Sequence, residues 1–161
     1  MYSFFLYPRI KFSIEFLKNY NLYSKVLSGQ DLKNYIISLK EIKLDVAYLT
    51  LLSNYFKSLL IHLKPSYVIL TQYMGYSGRA LCVAAKSLHI ETADIQHGVQ
   101  GPYHPSYAKF HNVPLIGYNT LPNTFFTWSD SERQEINFWA SKTTNTQALP
   151  IGNLMEQAFL M

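Results

Sequence analysis

Between residues 67 and 151 the chain alternates short apolar runs with longer runs of helical period, and few folds accommodate that pattern. Tyr67-Val68-Ile69-Leu70 is β-branched and follows a proline, which predicts a buried strand. Ser77 to Leu88 is rich in Ala and Leu and apolar nearly all round, which predicts a buried helix. Thr92-Ala93-Asp94-Ile95-Gln96 predicts a second strand, and Thr124-Phe125-Phe126-Thr127-Trp128 a third. Ser129 then has Glu132 three positions on, the capping-box pairing in which each side chain satisfies the other's backbone amide. The helix it opens carries Ile136 and Trp139 on one side, and Gln147 to Ile151 forms a last strand before Gly152-Asn153. Strand–helix–strand repetition calls for parallel pairing through right-handed crossovers, hence an open α/β sheet.

The first third reads differently. From Asp31, Leu32, Tyr35, Ile36, Leu39 and Ile42 recur at helical spacing, and Leu49, Leu52, Phe56, Leu59, Leu60 and Leu63 repeat it until Pro65. One long helix and two helices broken near Lys43–Asp45 both fit. Residues 1–29 fit one short strand or helix with a turn near Ser28-Gly29. The expected organisation is a largely helical segment over 1–64, a sheet domain over 65–153, and the start of a further element over 154–161. A domain rarely ends in the first turns of a new helix, so a fragment of a longer protein is expected.

Composition narrows the function classes. Of the 161 residues, 48% are hydrophobic and 15% charged, ample for a packed core. The aromatic content of 16% argues against a disordered chain. A net charge of +4 permits weak attraction to anionic partners, including a membrane surface. The lysines are scattered singly, whereas nucleic-acid binding calls for a clustered basic stripe, so no nucleic-acid partner is expected. Cys82, the single cysteine, rules out an internal disulfide and reads as a small hydrophobe among Leu81, Val83 and Ala84. The opening residues lack the continuous apolar core of a signal peptide, and no apolar run is long enough for a transmembrane helix. A cytoplasmic protein is expected, with peripheral contact at the inner face of the membrane.

Ligands of open parallel sheets bind beyond the carboxyl ends of the strands. Those ends lead into Thr71-Gln72-Tyr73-Met74-Gly75-Tyr76-Ser77, Gln96-His97-Gly98, Ser129-Asp130 and Gly152-Asn153. His97 is the candidate catalytic residue: an imidazole standing clear of a strand end accepts a proton from an attacking hydroxyl near neutral pH. A structural histidine bonded to loop backbone fits equally well. Gln96, Gly98, Tyr73, Gly75 and Ser129 are candidate substrate-binding residues at the same edge. About two dozen residues after Gly98 show no helical or alternating period, as functional loops do. Tyr103 and His104 in that loop are further substrate-binding candidates, with Tyr107, Lys109, His111 and Tyr118 nearby. Their apolar bodies and polar tips suit a sugar or a lipid-linked acceptor, and equally a protein interface. His104 and His111 fall short of a metal-ligand set, so no metal and no cofactor are expected. Gly75-Tyr76-Ser77-Gly78 precedes a helix amino end, where an anion can sit, but matches no phosphate-binding motif. Arg79 reads as a solvated arginine.

Ala84-Ala85-Lys86-Ser87-Leu88-His89-Ile90-Glu91-Thr92-Ala93-Asp94-Ile95-Gln96-His97-Gly98 resembles the AAK-x-L-x-I-x-T-x-x-x-QHG segment of bacterial surface-polysaccharide glycosyltransferases of the GT-B architecture. Leu121-Pro122-Asn123-Thr124-Phe125-Phe126-Thr127-Trp128 resembles their LP-x-x-F-x-x-W strand. Pro150-Ile151-Gly152-Asn153 resembles the GNP signal closing their amino-terminal domain, with Leu154 in place of the proline. The resemblance covers about residues 65–155. It implies an open parallel Rossmann-like sheet with flanking helices, the acceptor-side half of two domains facing a cleft. A nucleotide-sugar donor would be held mostly by the other domain, and a glycan or lipid-linked acceptor by this one. By similarity to the His-Gly loop of CDP-glycerol glycerophosphotransferases, His97 would deprotonate the acceptor hydroxyl. These 161 residues alone would then be inactive. The alternatives are a non-catalytic remnant or partner-binding module and a nucleotide-sugar epimerase-like domain.

Overall fold

A computed structural model describes residues 39–101, 104, 107, 110, 113–143 and 145–153. Its elements in chain order are α1 (Leu39–Leu63), β1 (Tyr67–Leu70), α2 (Tyr76–Ser87), β2 (Glu91–Ile95), β3 (Thr124–Thr127), α3 (Asp130–Ala140) and β4 (Gln147–Pro150). The chain forms two compact units, residues 1–50 and 51–161.

The helix α1 is continuous for 25 residues and runs straight through Lys43–Asp45. Those three residues are exposed, so the charges there face solvent and give the backbone no cause to break. In the second unit Leu60 is buried against Ala84 and Ala85 of α2, with Phe56, Val68, Leu81 and Ile90 around them. Residues 51–63 therefore fall in the same compact unit as the sheet. Lys64 closes the helix in the left-handed region at φ 48°, its N–H donating to the Leu60 carbonyl at 2.8 Å. Pro65 then bars continuation.

The four strands form one all-parallel sheet in the order β1-β2-β3-β4. This is the open, Rossmann-like α/β arrangement that the alternation of runs predicts, with chain order and spatial order identical among the described strands. Register aligns Leu70, Asp94, Phe125 and Ala148 in one row. Side chains in a row share a face, and this face is the core: all four are buried. Cys82 from α2 and Ile136, Trp139 and Ala140 from α3 pack into the same cluster. Phe125 is its centre, with the rings of Tyr73, Tyr107 and Trp139 edge-on at 5.3, 5.8 and 6.1 Å. On the opposite face Tyr67, Ile69 and Leu149 are exposed.

The helix α2 is less thoroughly buried than its composition predicts. Gly78, Ala80, Cys82, Ala84 and Ala85 face inward, while Tyr76, Ser77, Arg79 and Ser87 are exposed. Small residues let this helix lie close to the sheet, and nowhere more closely than at Gly78. A Cβ there would stand 2.6 Å from Tyr73 Cα and collide with the Gln72 carbonyl oxygen. The glycine is required by backbone contact within the chain.

The carboxyl end of α2 is closed by a Schellman pair. Ile90 N–H donates to the Ala85 carbonyl at 3.0 Å and His89 N–H to the Lys86 carbonyl at 3.1 Å. His89 occupies the left-handed position at φ 57°, where glycine is the usual residue.

Two stability predictions follow from these helix ends. Gly78→Ala forces backbone to move and is expected to cost about 1–3 kcal/mol in urea unfolding, the range for an overpacked site. His89→Gly relieves the left-handed strain at some cost in chain entropy and should gain up to about 1 kcal/mol in the same assay. An unchanged midpoint for either variant contradicts the corresponding packing.

Candidate functional site at the carboxyl edge

All four strands end at one edge, at Leu70, Ile95, Thr127 and Pro150. His97 lies two residues past β2, an interior strand, and is exposed. The residue before it is not. Gln96 is 3% exposed, and every polar atom it carries is engaged. Its N–H extends the ladder to the Phe126 carbonyl at 2.9 Å. Its Nε2 donates to the Gly98 carbonyl at 2.9 Å and to Glu132 Oε1 at 2.8 Å. Its Oε1 accepts from Trp128 N–H at 2.7 Å, and its backbone carbonyl from Trp128 Nε1 at 3.0 Å.

One side chain thus joins the loop after β2, the end of β3 and the first turn of α3. The other oxygen of Glu132 completes the expected capping box, accepting from Ser129 N–H and Oγ, both at 2.8 Å. Both carboxylate oxygens of Glu132 are therefore committed, one to its own helix and one to the neighbouring strand end.

Beneath this edge lies a buried carboxylate that the sequence reading passed over as part of a strand. Asp94 is 1% exposed and sits in the core row between Leu70 and Phe125. Oδ1 accepts from Tyr73 N–H at 3.0 Å and Oδ2 from the Tyr107 hydroxyl at 2.9 Å. Asp94 therefore fastens both the loop after β1 and the loop after β2 to the sheet. Burial pushes its pKa up to about 6, against the opposing pull of the Tyr107 and Tyr73 hydrogen bonds and of His97. Burial likewise raises the Tyr73 and Tyr107 phenols above their usual range, with Asp94 adding to the effect. Cys82 is fully buried, and burial pushes its thiol up to about 12, an unreactive state.

The candidate residues divide accordingly. His97 and Gly75 are exposed, and Gly98 is half-buried. A Cβ at Gly98 or Gly75 would meet nothing within 4 Å, so no described neighbour requires glycine at either. Tyr73 is turned into the core, with its ring on Phe125 and its amide on Asp94, away from the surface where a substrate would meet it. Gln96 has both amide donors and its oxygen engaged within the chain, and the Ser129 hydroxyl is occupied by the helix cap. These three hold the edge together. His104 is half-buried, its ring 4.9 Å from that of Tyr107. Tyr103, Lys109 and His111 lie outside the described residues. Arg79 is exposed, as the reading of a solvated arginine has it. Among the described residues no three His, Cys, Asp or Glu side chains converge as a metal site would need.

Two hollows open near the sheet ends. A cleft of about 80 Å³ at the carboxyl edge is lined by Gln100, Gly101, Tyr107, Glu132, Glu135 and Ile136. A larger groove of about 490 Å³ lies at the amino edge, among Glu91, Asn123, Thr143, Asn145, Thr146 and Gln147. The amino-edge groove is the bigger, but its polar groups serve the fold: Asn123 Oδ1 accepts from Thr92 N–H and Oγ1, and Thr143 and Thr146 donate to backbone carbonyls. The carboxyl-edge cleft adjoins the loop that carries His97, and it is the better candidate.

No family model, curated protein or solved structure matches the chain. Among the described residues no helix is long and apolar enough to cross a membrane.

Gln96→Leu keeps the volume and removes the amide. It takes a partner from Trp128 N–H, one Glu132 oxygen and the Gly98 carbonyl, all at part-buried bonds. The expected loss is about 1–3 kcal/mol in urea unfolding, together with faster hydrogen exchange at Trp128. A loss below about 0.5 kcal/mol, the size of an ordinary surface substitution, contradicts a joining role for Gln96.

Proposed function

We propose that this chain supplies the acceptor side of a glycosyltransferase-like enzyme, with His97 as the base that takes the proton from the acceptor hydroxyl. The observation that carries the reading is the exposure of His97 just past the end of an interior parallel strand. That is where ligands of open α/β sheets bind. The block from Ala84 to Gly98 and the Leu121–Trp128 strand, which resemble bacterial surface-polysaccharide glycosyltransferases, supply the reaction class.

In this reading a nucleotide-sugar bound by a partner domain presents its anomeric carbon to the carboxyl edge. The acceptor oxygen approaches His97, the imidazole accepts its proton as the new C–O bond forms, and the nucleoside diphosphate leaves. Gln96 acts through position: by holding Gly98 and Trp128 it fixes the backbone on which His97 stands. The residues around the carboxyl-edge cleft, with half-buried His104 near it on the ring of Tyr107, offer acceptor atoms to a hydroxyl-rich glycan end. Peripheral membrane contact would bring a lipid-linked acceptor within reach of the same edge.

The test is transfer of labelled sugar from UDP-, GDP- and CDP-sugars to endogenous lipid-linked glycan, in membranes from cells expressing the complete gene product. His97→Ala should lower turnover by at least ~100-fold, the lower end for loss of a general base. Transfer at the wild-type rate removes His97 from the mechanism. Formation of an inverted sugar without acceptor replaces the reading with an epimerase.

A further inference from the structure

Over residues 51–63 the helix α1 is apolar on nearly every side, yet only part of it is covered. Ser53 and Leu60 are buried, and Phe56 packs beside Leu60 against α2. Leu51 and Tyr55 stand one helical turn apart on the side away from Leu60, and they are 59% and 64% exposed. Leu59 borders them, and Ile61 and Leu63 widen the apolar surface at the last turn. A scattered exposed leucine is ordinary. These five large side chains on one short stretch form a patch of the kind that marks a contact surface.

The charge along this part of the chain has one sign. Between Asp45 and Glu91 there is no acidic residue, and the basic ones are Lys57, Lys64, Arg79 and Lys86. Those four equal the net charge of +4 on the whole chain, so the basic and acidic residues elsewhere balance. Lys57 lies within the helix, half-buried, and Lys64 closes it in full exposure to solvent. The one ion pair among the described residues is Arg133 with Asp130, so neither lysine is spent on a carboxylate.

We propose that α1 docks through this face on an anionic lipid surface. Leu51, Tyr55 and Leu59 enter the headgroup boundary, while Lys57 and Lys64 lay down their apolar stems and leave their ammonium groups at the phosphates. A phenol suits that depth, with its ring toward the acyl chains and its hydroxyl toward water. The helix lies along the surface: residues 51–63 span about 20 Å, short of the roughly 30 Å hydrocarbon core. No described helix is long and apolar enough to cross it. A second copy of the chain fits less well. It would set Lys57 and Lys64 against their own counterparts, with no acidic residue between Asp45 and Glu91 to offset them. The helix α3 shows the contrast. Phe138 is exposed to a like degree, but Asp130, Glu132 and Glu135 share its helix and would be repelled by an anionic surface. The docking gives a surface to the peripheral contact in the function proposed above; its purpose rests on that reading, its occurrence does not.

Co-sedimentation of the complete gene product with vesicles, in the absence of any sugar donor, tests the docking separately from transfer. Wild type should bind vesicles of phosphatidylglycerol and phosphatidylcholine in equal parts far better than phosphatidylcholine alone, and salt should weaken the binding. Leu51→Gln combined with Leu59→Gln should lower the partition coefficient at least ~10-fold and leave the urea midpoint unchanged. Lys57→Gln and Lys64→Gln should each lower it about fivefold, the worth of one basic residue beside an anionic surface. Phe138→Gln should bind as wild type does. Wild type that ignores anionic vesicles, or binds neutral ones equally, overturns the proposal. So does wild-type affinity in the leucine double variant. A lipid-free dimer that the same double variant abolishes gives the face to a second copy and overturns it too. Should the leucine variant misfold, the lysine variants and the comparison of lipids carry the same test.

Discussion

Parallel strands that follow one another in chain order must route every connection over the same face when the crossovers keep their usual right hand. That constraint shapes this molecule. The helix α2 serves the first crossover and α3 the third, and both pack on the row of Leu70, Asp94, Phe125 and Ala148. Between β2 and β3 no helix is present among the described residues, yet the layer has to be filled. Aromatic side chains fill it. Tyr107 and Phe110 reach into the space between the helices, with Phe110 edge-on to Trp139 at 4.8 Å and Trp139 Nε1 donating to the Tyr107 carbonyl at 3.1 Å. Tyr107 and Phe110 are thereby tied to the same core as α3.

Polar groups from outside the strands reach the core here, and the core must answer them. Asp94 does so for two loops at once, accepting from the Tyr73 amide and from the Tyr107 hydroxyl. A neutral residue of the same size cannot accept two such bonds without itself presenting a donor. The carboxylate suits the geometry, and the cost of keeping it charged appears in its raised pKa. A hydrophobic residue at position 94 would suit the row better and leave Tyr73 N–H and the Tyr107 hydroxyl unpaired.

How much of this was legible beforehand depends on where the information lies. The strands β1 and β3 and the Ser129–Glu132 cap are local facts, carried by β-branching, aromatic content and a three-residue spacing, and the structure has all three. The interior strand β2 carries a weaker local signal because Thr92, Ala93 and Asp94 are small or polar; their burial comes from what lies on either side. Charges at Lys43–Asp45 read equally as a break or as a solvent face, and only the fold distinguishes the two. Gly78 looked like part of an anion cradle, whereas its reason is the Gln72 carbonyl packed against it from another part of the chain. Tyr73 and Gln96 fall at strand ends, as candidate ligands should, but sequence does not say which way a side chain turns. The one available hint of Asp94 was a carboxylate set inside an otherwise uncharged strand.

The turn of Gln96 also accounts for the setting of His97. Gln96 still belongs to the ladder through Phe126, and its side chain is drawn toward α3 by Glu132. Along an extended chain the next side chain departs in the other direction. The backbone cannot bend back to bury it, because the Gly98 carbonyl is held by the same Gln96 amide. Exposure of the imidazole is thus a consequence of bonds its neighbours make, with no partner of its own required to hold it out. Residues at the rim of a sheet are commonly placed by what anchors the chain on either side. Here the anchor is one amide group that makes three hydrogen bonds, two as donor and one as acceptor.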